Sequence, residues 1–101
     1  MRIYRAKLTM ANVIVTLKIM PESAEEDLDK ITEDSLKHIR QFAGEHDTKV
    51  EKEPIAFGLS ALKILFVMDE KLGTTESLEE EIKSIKGVQS VEVTDVRRAI
   101  G

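Results

Sequence analysis

The chain contains no cysteine, which removes disulfide scaffolds, zinc ribbons, iron–sulfur ligation and thiol catalysis at once. Tryptophan is also absent, and the aromatics are Tyr4, Phe42, Phe57 and Phe66 alone. A core with so few rings is aliphatic, so any ring used for recognition stands out. No run approaches the roughly 18 apolar residues of a membrane-spanning helix. The basic start, MRIYRAKLTM, is not followed by a signal-type apolar stretch with a small-residue cleavage site. The expectation is a cytoplasmic protein with no membrane partner. A basic excess is lacking too: the formal net charge is −4, which disfavours a general nucleic-acid binder.

What is present fits one soluble domain. A chain of 101 residues buries about two-thirds of its unfolded surface, enough for one core and no second domain. Charge is unevenly spread: residues 1–20 carry +4, residues 21–53 carry −6 and residues 54–101 carry −2.

Asn12–Met20 alternates Val13, Val15, Leu17 and Ile19 with Ile14, Thr16 and Lys18. That period of two predicts a strand with one buried face, ended by Pro21. Ser23-Ala24-Glu25-Glu26 reads as a capping box opening a helix. Leu28, Ile31, Ser35, Ile39 and Phe42 then form its apolar stripe, and Gly44 terminates it. The acids Glu25, Glu26, Asp27 and Asp29 crowd its first turn, where the helix dipole favours them. His46–Glu53 alternates polar residues and predicts an edge strand guarded by charge. Pro54 and Gly58 bracket a turn, and Leu59–Met68 predicts an apolar central strand. Gly73-Thr74-Thr75 opens a second helix with Leu78, Ile82 and Ile85 inward and Gly87 at its end. Val88–Val96 predicts the last strand, with Val91 and Val93 inward. The order β-α-β-β-α-β, with one-sided helix stripes, predicts an α+β ferredoxin-like split β-α-β sandwich. Its four-stranded antiparallel sheet would carry both helices on one face.

This fold hosts many functions, so function must come from residues. His38 and His46 lack metal-ligand spacing, and no nucleophile–base–orienter set is evident. Gly58, Gly73 and Gly87 are isolated, so neither a Walker loop nor GxGxxG exists. A sheet-face RNA reader needs rings on its central strands. The nearest stretch, Ala56-Phe57-Gly58-Leu59-Ser60-Ala61-Leu62, lacks the leading base and the later rings. Two features remain unexplained by the fold. Glu53-Pro54-Ile55-Ala56-Phe57-Gly58-Leu59 places a large ring at a hairpin tip, where polar residues are the ordinary choice. That ring is either a plug folded back into the core or an exposed binding anchor. The chain also ends Val96-Arg97-Arg98-Ala99-Ile100-Gly101: either a solvated tail or an arginine pair suited to carboxylates and phosphates.

These stretches resemble the archaeal elongation factor 1-beta family, the nucleotide-exchange partner of the GTPase that brings aminoacyl-tRNA to the ribosome. The matching pieces are Ile19-Met20-Pro21-Glu22-Ser23, Glu53 to Leu59, Gly87-Val88 and Glu92-Val93-Thr94-Asp95-Val96-Arg97-Arg98, in family order. The resemblance covers about residues 12–101. It implies the same ferredoxin-like fold, and a non-enzymatic exchange factor with no cofactor and no metal of its own. The implied partner is elongation factor 1-alpha in its GDP-bound and nucleotide-free forms, without direct nucleic-acid contact. The residues expected to engage the GTPase are Pro54, Phe57, Gly58, Arg97 and Arg98. Phe57 would enter a pocket, Pro54 and Gly58 would hold the hairpin, and the arginines would meet acidic groups or contest the magnesium side of the nucleotide site. Eukaryotic relatives carry a lysine near the C-terminus that disturbs that magnesium site. This chain has Ala99-Ile100-Gly101 there, so the lysine's role is not carried over. Residues 1–11 fall outside the resemblance, and are read as an N-terminal extension or the product of a start codon placed too early.

Two other readings compete. One is a ferredoxin-like interaction or small-ligand module without exchange activity. The other is RNA binding through the basic segment, which would be salt-dependent and lost on deleting residues 1–9.

Overall fold

The computed structural model describes residues 12–98; residues 1–11, read above as an extension or a misplaced start, and the terminal Ala99-Ile100-Gly101 lie outside the described residues. The first alternating stretch forms β1 (Asn12–Pro21), with Val15, Leu17 and Ile19 buried. Helix α1 (Leu28–Ala43) follows, then the edge strand β2 (Thr48–Pro54) and the apolar strand β3 (Ser60–Asp69). A single 3-10 turn (Glu70–Leu72) leads to the short helix α2 (Glu76–Lys83) and to β4 (Val88–Arg98).

The strands form one antiparallel sheet in the order β2-β3-β1-β4. β2 is an edge and β3 is central, as their hydrophobic patterns predict, while β1 takes the other central place and β4 the other edge. Val15, Leu17, Ile19, Leu62, Ile64, Phe66 and Met68 point to one side of the sheet. There they pack with Ile31 and Ile39 of α1 and Leu78 and Ile82 of α2. Both helices therefore cover one face, and among the described residues no element covers the other. This is the ferredoxin-like sandwich.

The structure corrects four local expectations. The N-cap of α1 is Asp27, not Ser23: the Asp27 carboxylate accepts the backbone N–H groups of Asp29 and Lys30 at 3.1 Å. Ser23 instead closes a local turn, its hydroxyl accepting from Glu25 N–H at 3.3 Å. Asp27 wins because it lies one residue before the apolar stripe, whereas Ser23 would require an extra polar turn with nothing to bury. Consequently Glu25 and Glu26 precede the helix, and Asp29 is the acid of its first turn.

The second helix starts at Glu76 with Thr75 in the cap position, but the Thr75 hydroxyl donates to the Glu79 carboxylate at 2.6 Å rather than capping the backbone. The helix ends at Lys83, with Ser84 as its cap. Gly87 belongs to the turn that follows, at φ 94°. A Cβ there would collide with the Glu26 carboxylate, which lies over it. Finally, β4 runs through Arg97 and Arg98 instead of ending at Val96. It pairs Arg98 with Val13 and Arg97 with Ile14.

β4 also carries irregularities opposite Thr16/Leu17 and Met20/Pro21. The first skips Thr94, so Val93 pairs with Leu17 and Val96 with Val15. Strict alternation would place those valines on opposite faces; the bulge returns both to the helix side.

Candidate functional site

The hairpin joining β2 to β3 is built from a turn that its own sequence strains. Ile55 N–H donates to Leu59 O at 2.7 Å, and Leu59 N–H donates to Ala56 O at 3.2 Å. The central residues Phe57 and Gly58 have φ of 61° and 76°. Two positive φ values in succession mark a primed turn, which suits the right-handed twist of a hairpin and favours Asn-Gly. Gly58 meets this requirement without a steric penalty. Phe57 does not: it is the one non-glycine residue with positive φ among the described residues. A left-handed L-residue costs about 1–2 kcal/mol.

The ring gains nothing from packing to offset that strain, since Phe57 is 96% exposed. The core-plug reading is therefore incorrect, and the ring points into solvent. Pro54, the last residue of β2, pairs with Ser60 and stiffens the approach to the turn on an edge strand, where a missing N–H is tolerated. Ile55, also exposed, adds apolar surface beside the ring. From below, the tip rests on the β1–α1 loop: a Cβ built on Gly58 would lie 3.8 Å from Ala24 Cβ. That loop is anchored in turn by Glu22 N–H donating to Gly87 O at 2.8 Å. Sequence spacing gave no signal for Ala24 or for the Glu26–Gly87 contact, because both join segments far apart in the chain.

Pro54, Phe57 and Gly58 are thus brought together, but Arg97 and Arg98 are not near them. β1 pairs Pro21 with Val88, and Val13 with Arg98. The arginines consequently lie at the opposite end of the sheet from the hairpin tip, a strand length of about 30 Å away. Both already have partners. Arg97 Nε donates to Asp95 Oδ2 at 2.8 Å, and Arg98 Nη2 to Glu70 Oε2 at 2.9 Å. Arg98 and Glu70 stand beside an open groove of about 390 Å³, floored by Val13, Val15, Met68, Val93 and Val96 and edged by Glu70, Glu76 and Glu79.

His38 Nδ1 lies 3.3 Å from Glu81 Oε1, in a helix–helix contact remote from both ends. Among the described residues no group of three or more His, Asp or Glu side chains could hold a metal ion. No helix there is long and apolar enough to cross a membrane.

The structure is a ferredoxin-like α+β domain with a strained, exposed ring at one end of its sheet and an arginine pair at the other. Comparison with known proteins narrows the class. The family model for the EF-1 guanine nucleotide exchange domain matches residues 14–99. Elongation factor 1-beta of Methanothermobacter thermautotrophicus is 43% identical over 89 residues, covering 88% of this chain and 98% of that protein. The Methanobrevibacter smithii protein of the same name is 45% identical with the same coverage. That of Ignicoccus hospitalis is 37% identical over 92 residues, covering 90% of this chain and 96% of that protein. The chain belongs to the elongation factor 1-beta family of guanine nucleotide exchange factors. Its role is nucleotide exchange in translation elongation, and its partner is elongation factor 1-alpha.

Proposed function

We propose that the protein accelerates GDP release by inserting Phe57 into an apolar pocket of elongation factor 1-alpha, while Arg97 and Arg98 engage acidic groups of the same GTPase from the other end of the sheet. The observation that carries this reading is the ring itself, 96% exposed on a backbone with positive φ. Neither turn chemistry nor packing accounts for a phenylalanine there, whereas a buried aromatic anchor in a complex does.

The protein makes and breaks no bond in the nucleotide, so its action is binding and not covalent catalysis. It engages both GDP-bound and nucleotide-free GTPase, and prefers the empty form. Linkage then requires that it weaken nucleotide affinity by the same factor. A thousandfold faster release needs about 4 kcal/mol from the barrier. Burying one ring supplies about 2–3 kcal/mol, and charge contacts at the interface supply the remainder. The intramolecular partners of Arg97 and Arg98 do not oppose this. Exposed ion pairs contribute about 0–1 kcal/mol, and both arginines are largely solvent-accessible. Pro54 and Gly58 keep the hairpin in its presenting shape. The site of action is the cytoplasm, without direct contact to nucleic acid or membrane.

Release of a fluorescent GDP from the partner GTPase tests the reading. Phe57→Ala is expected to lower the rate at subsaturating factor at least tenfold with the fold intact by circular dichroism. An unchanged rate in a folded variant removes the ring from the mechanism. A second reading, a ligand-binding module without exchange activity, predicts that even the unaltered protein leaves GDP release unaffected.

A further inference from the structure

The groove of about 390 Å³ beside the first turn of α2 has an apolar floor made by β1, β3 and β4. Part of that floor stays open to solvent: Val96 is 57% exposed and Val13 is half-buried. The rim carries Glu70, Glu76 and Glu79. Arg98 neutralises Glu70 at 2.9 Å. In the chain Asp69 precedes Glu70 and Lys71 follows it, so those two charges offset each other. Among the described residues no cation lies within 4.0 Å of the Glu76 or Glu79 carboxylate. Glu79 accepts only the Thr75 hydroxyl, and Glu76 is exposed. An apolar floor under an acidic rim suits a ligand that is both apolar and cationic.

The chain carries such a segment at the groove itself. β1 begins at Asn12, next to Val13 on the floor. Residues 1–11, which lead into it, hold Arg2, Arg5 and Lys7 with no acid, together with Ile3, Tyr4, Leu8 and Met10.

We infer that the groove receives residues 1–11 of the same chain, with their apolar side chains on the floor and their cations against Glu76 and Glu79. Two arguments commit it to that occupant. The charges are complementary: three cations meet two carboxylates that lack one. The segment is also tethered where it would dock. An extended chain spans about 3.3 Å per residue, so side chains from Tyr4 to Met10 reach the floor from an anchor at Val13. Tethering through a short linker gives an effective concentration in the millimolar range, so modest contacts suffice. The C-terminal Ala99-Ile100-Gly101 leaves β4 at the same end, but it has no cationic side chain to meet the rim. The inference is independent of the exchange reading and is tested without the GTPase.

The sequence supplies its own probe. Tyr4 is the one tyrosine and tryptophan is absent, so tyrosine emission of the full chain reports on this segment alone. Acrylamide quenching of that emission is measured on the full chain and on two groove variants. Val96→Lys puts a cation on the floor, and Glu76→Gln/Glu79→Gln removes the rim charge. Docking predicts quenching at least about threefold weaker than for free N-acetyltyrosinamide, with at least about half of that protection lost in either variant or at high salt. Quenching equal to that of the free amide overturns the inference and marks the segment as solvated. Protection that survives Val96→Lys, with the fold intact by circular dichroism, also overturns it, because Tyr4 is then sheltered elsewhere. If Val96→Lys does not fold, Glu76→Gln/Glu79→Gln decides in the same way. Protection lost on dilution, together with a dimer in sedimentation, assigns the groove to the segment of a second copy and overturns docking within one chain.

Discussion

Phe57 occupies a position where glycine or asparagine would make a better turn. Its φ of 61° favours glycine or asparagine, and its ring covers nothing. Stability and recognition therefore pull in opposite directions at this one residue. Phe57→Asn is expected to raise unfolding stability by about 0.5–1 kcal/mol, because it relieves the left-handed strain without removing any packing. The same substitution should reduce exchange as strongly as alanine does. Urea unfolding and GDP release measured on one preparation give the two signs. A variant that loses stability instead would mean that the ring packs in solution. A milder misfit lies in the core, where the Ser35 hydroxyl is fully buried with no hydrogen-bond partner. It sits on the α1 stripe facing the sheet, a site where the sequence pattern already places an inward residue.

At the level of elements, hydrophobic patterning located both helices and the strands β1, β3 and β4, because burial of one face is what stabilises each of them, whereas β2, which has no buried residue, was legible only from its polar alternation. The ends were less legible. A capping box and an aspartate cap compete within four residues before α1, and only the start of the packed stripe decides between them. Asp27→Ala should therefore cost about 1 kcal/mol in chemical unfolding, the usual loss of a helix cap. Ser23→Ala should fall within about 0.5 kcal/mol of the unaltered protein, as surface changes do. Equal losses from the two substitutions would restore the capping box. The end of β4 was missed for a similar reason. Arg97 and Arg98 have no apolar partner in the chain direction to signal a strand. What extends it is pairing with Ile14 and Val13 across β1, and the Thr94 bulge that shifts the register before them.

Across the whole molecule, the five residues expected to meet the GTPase divide into two groups separated by about 30 Å of sheet. Groups that far apart with no shared contacts act independently. The free-energy losses in exchange from Phe57→Ala and from Arg97→Ala/Arg98→Ala should add to within about 0.5 kcal/mol in the combined variant. Only the arginine losses should shrink as salt rises, since screening weakens charge contacts and not ring burial. Strong coupling between the two ends would instead require a partner that rearranges around both.

Fold class, core and candidate ring were all legible in the order of residues alone. Alternation and helical spacing are local consequences of which residues leave water, and a phenylalanine in a proline–glycine turn is conspicuous without coordinates. Tertiary structure decided what depends on register and on distance through space. It turned Phe57 outward, seated the hairpin on Ala24, and separated the arginines from the ring. It also set Val13 and Val96 on one groove floor, from opposite ends of the chain, because strand pairing is a long-range choice that no single stretch of sequence encodes.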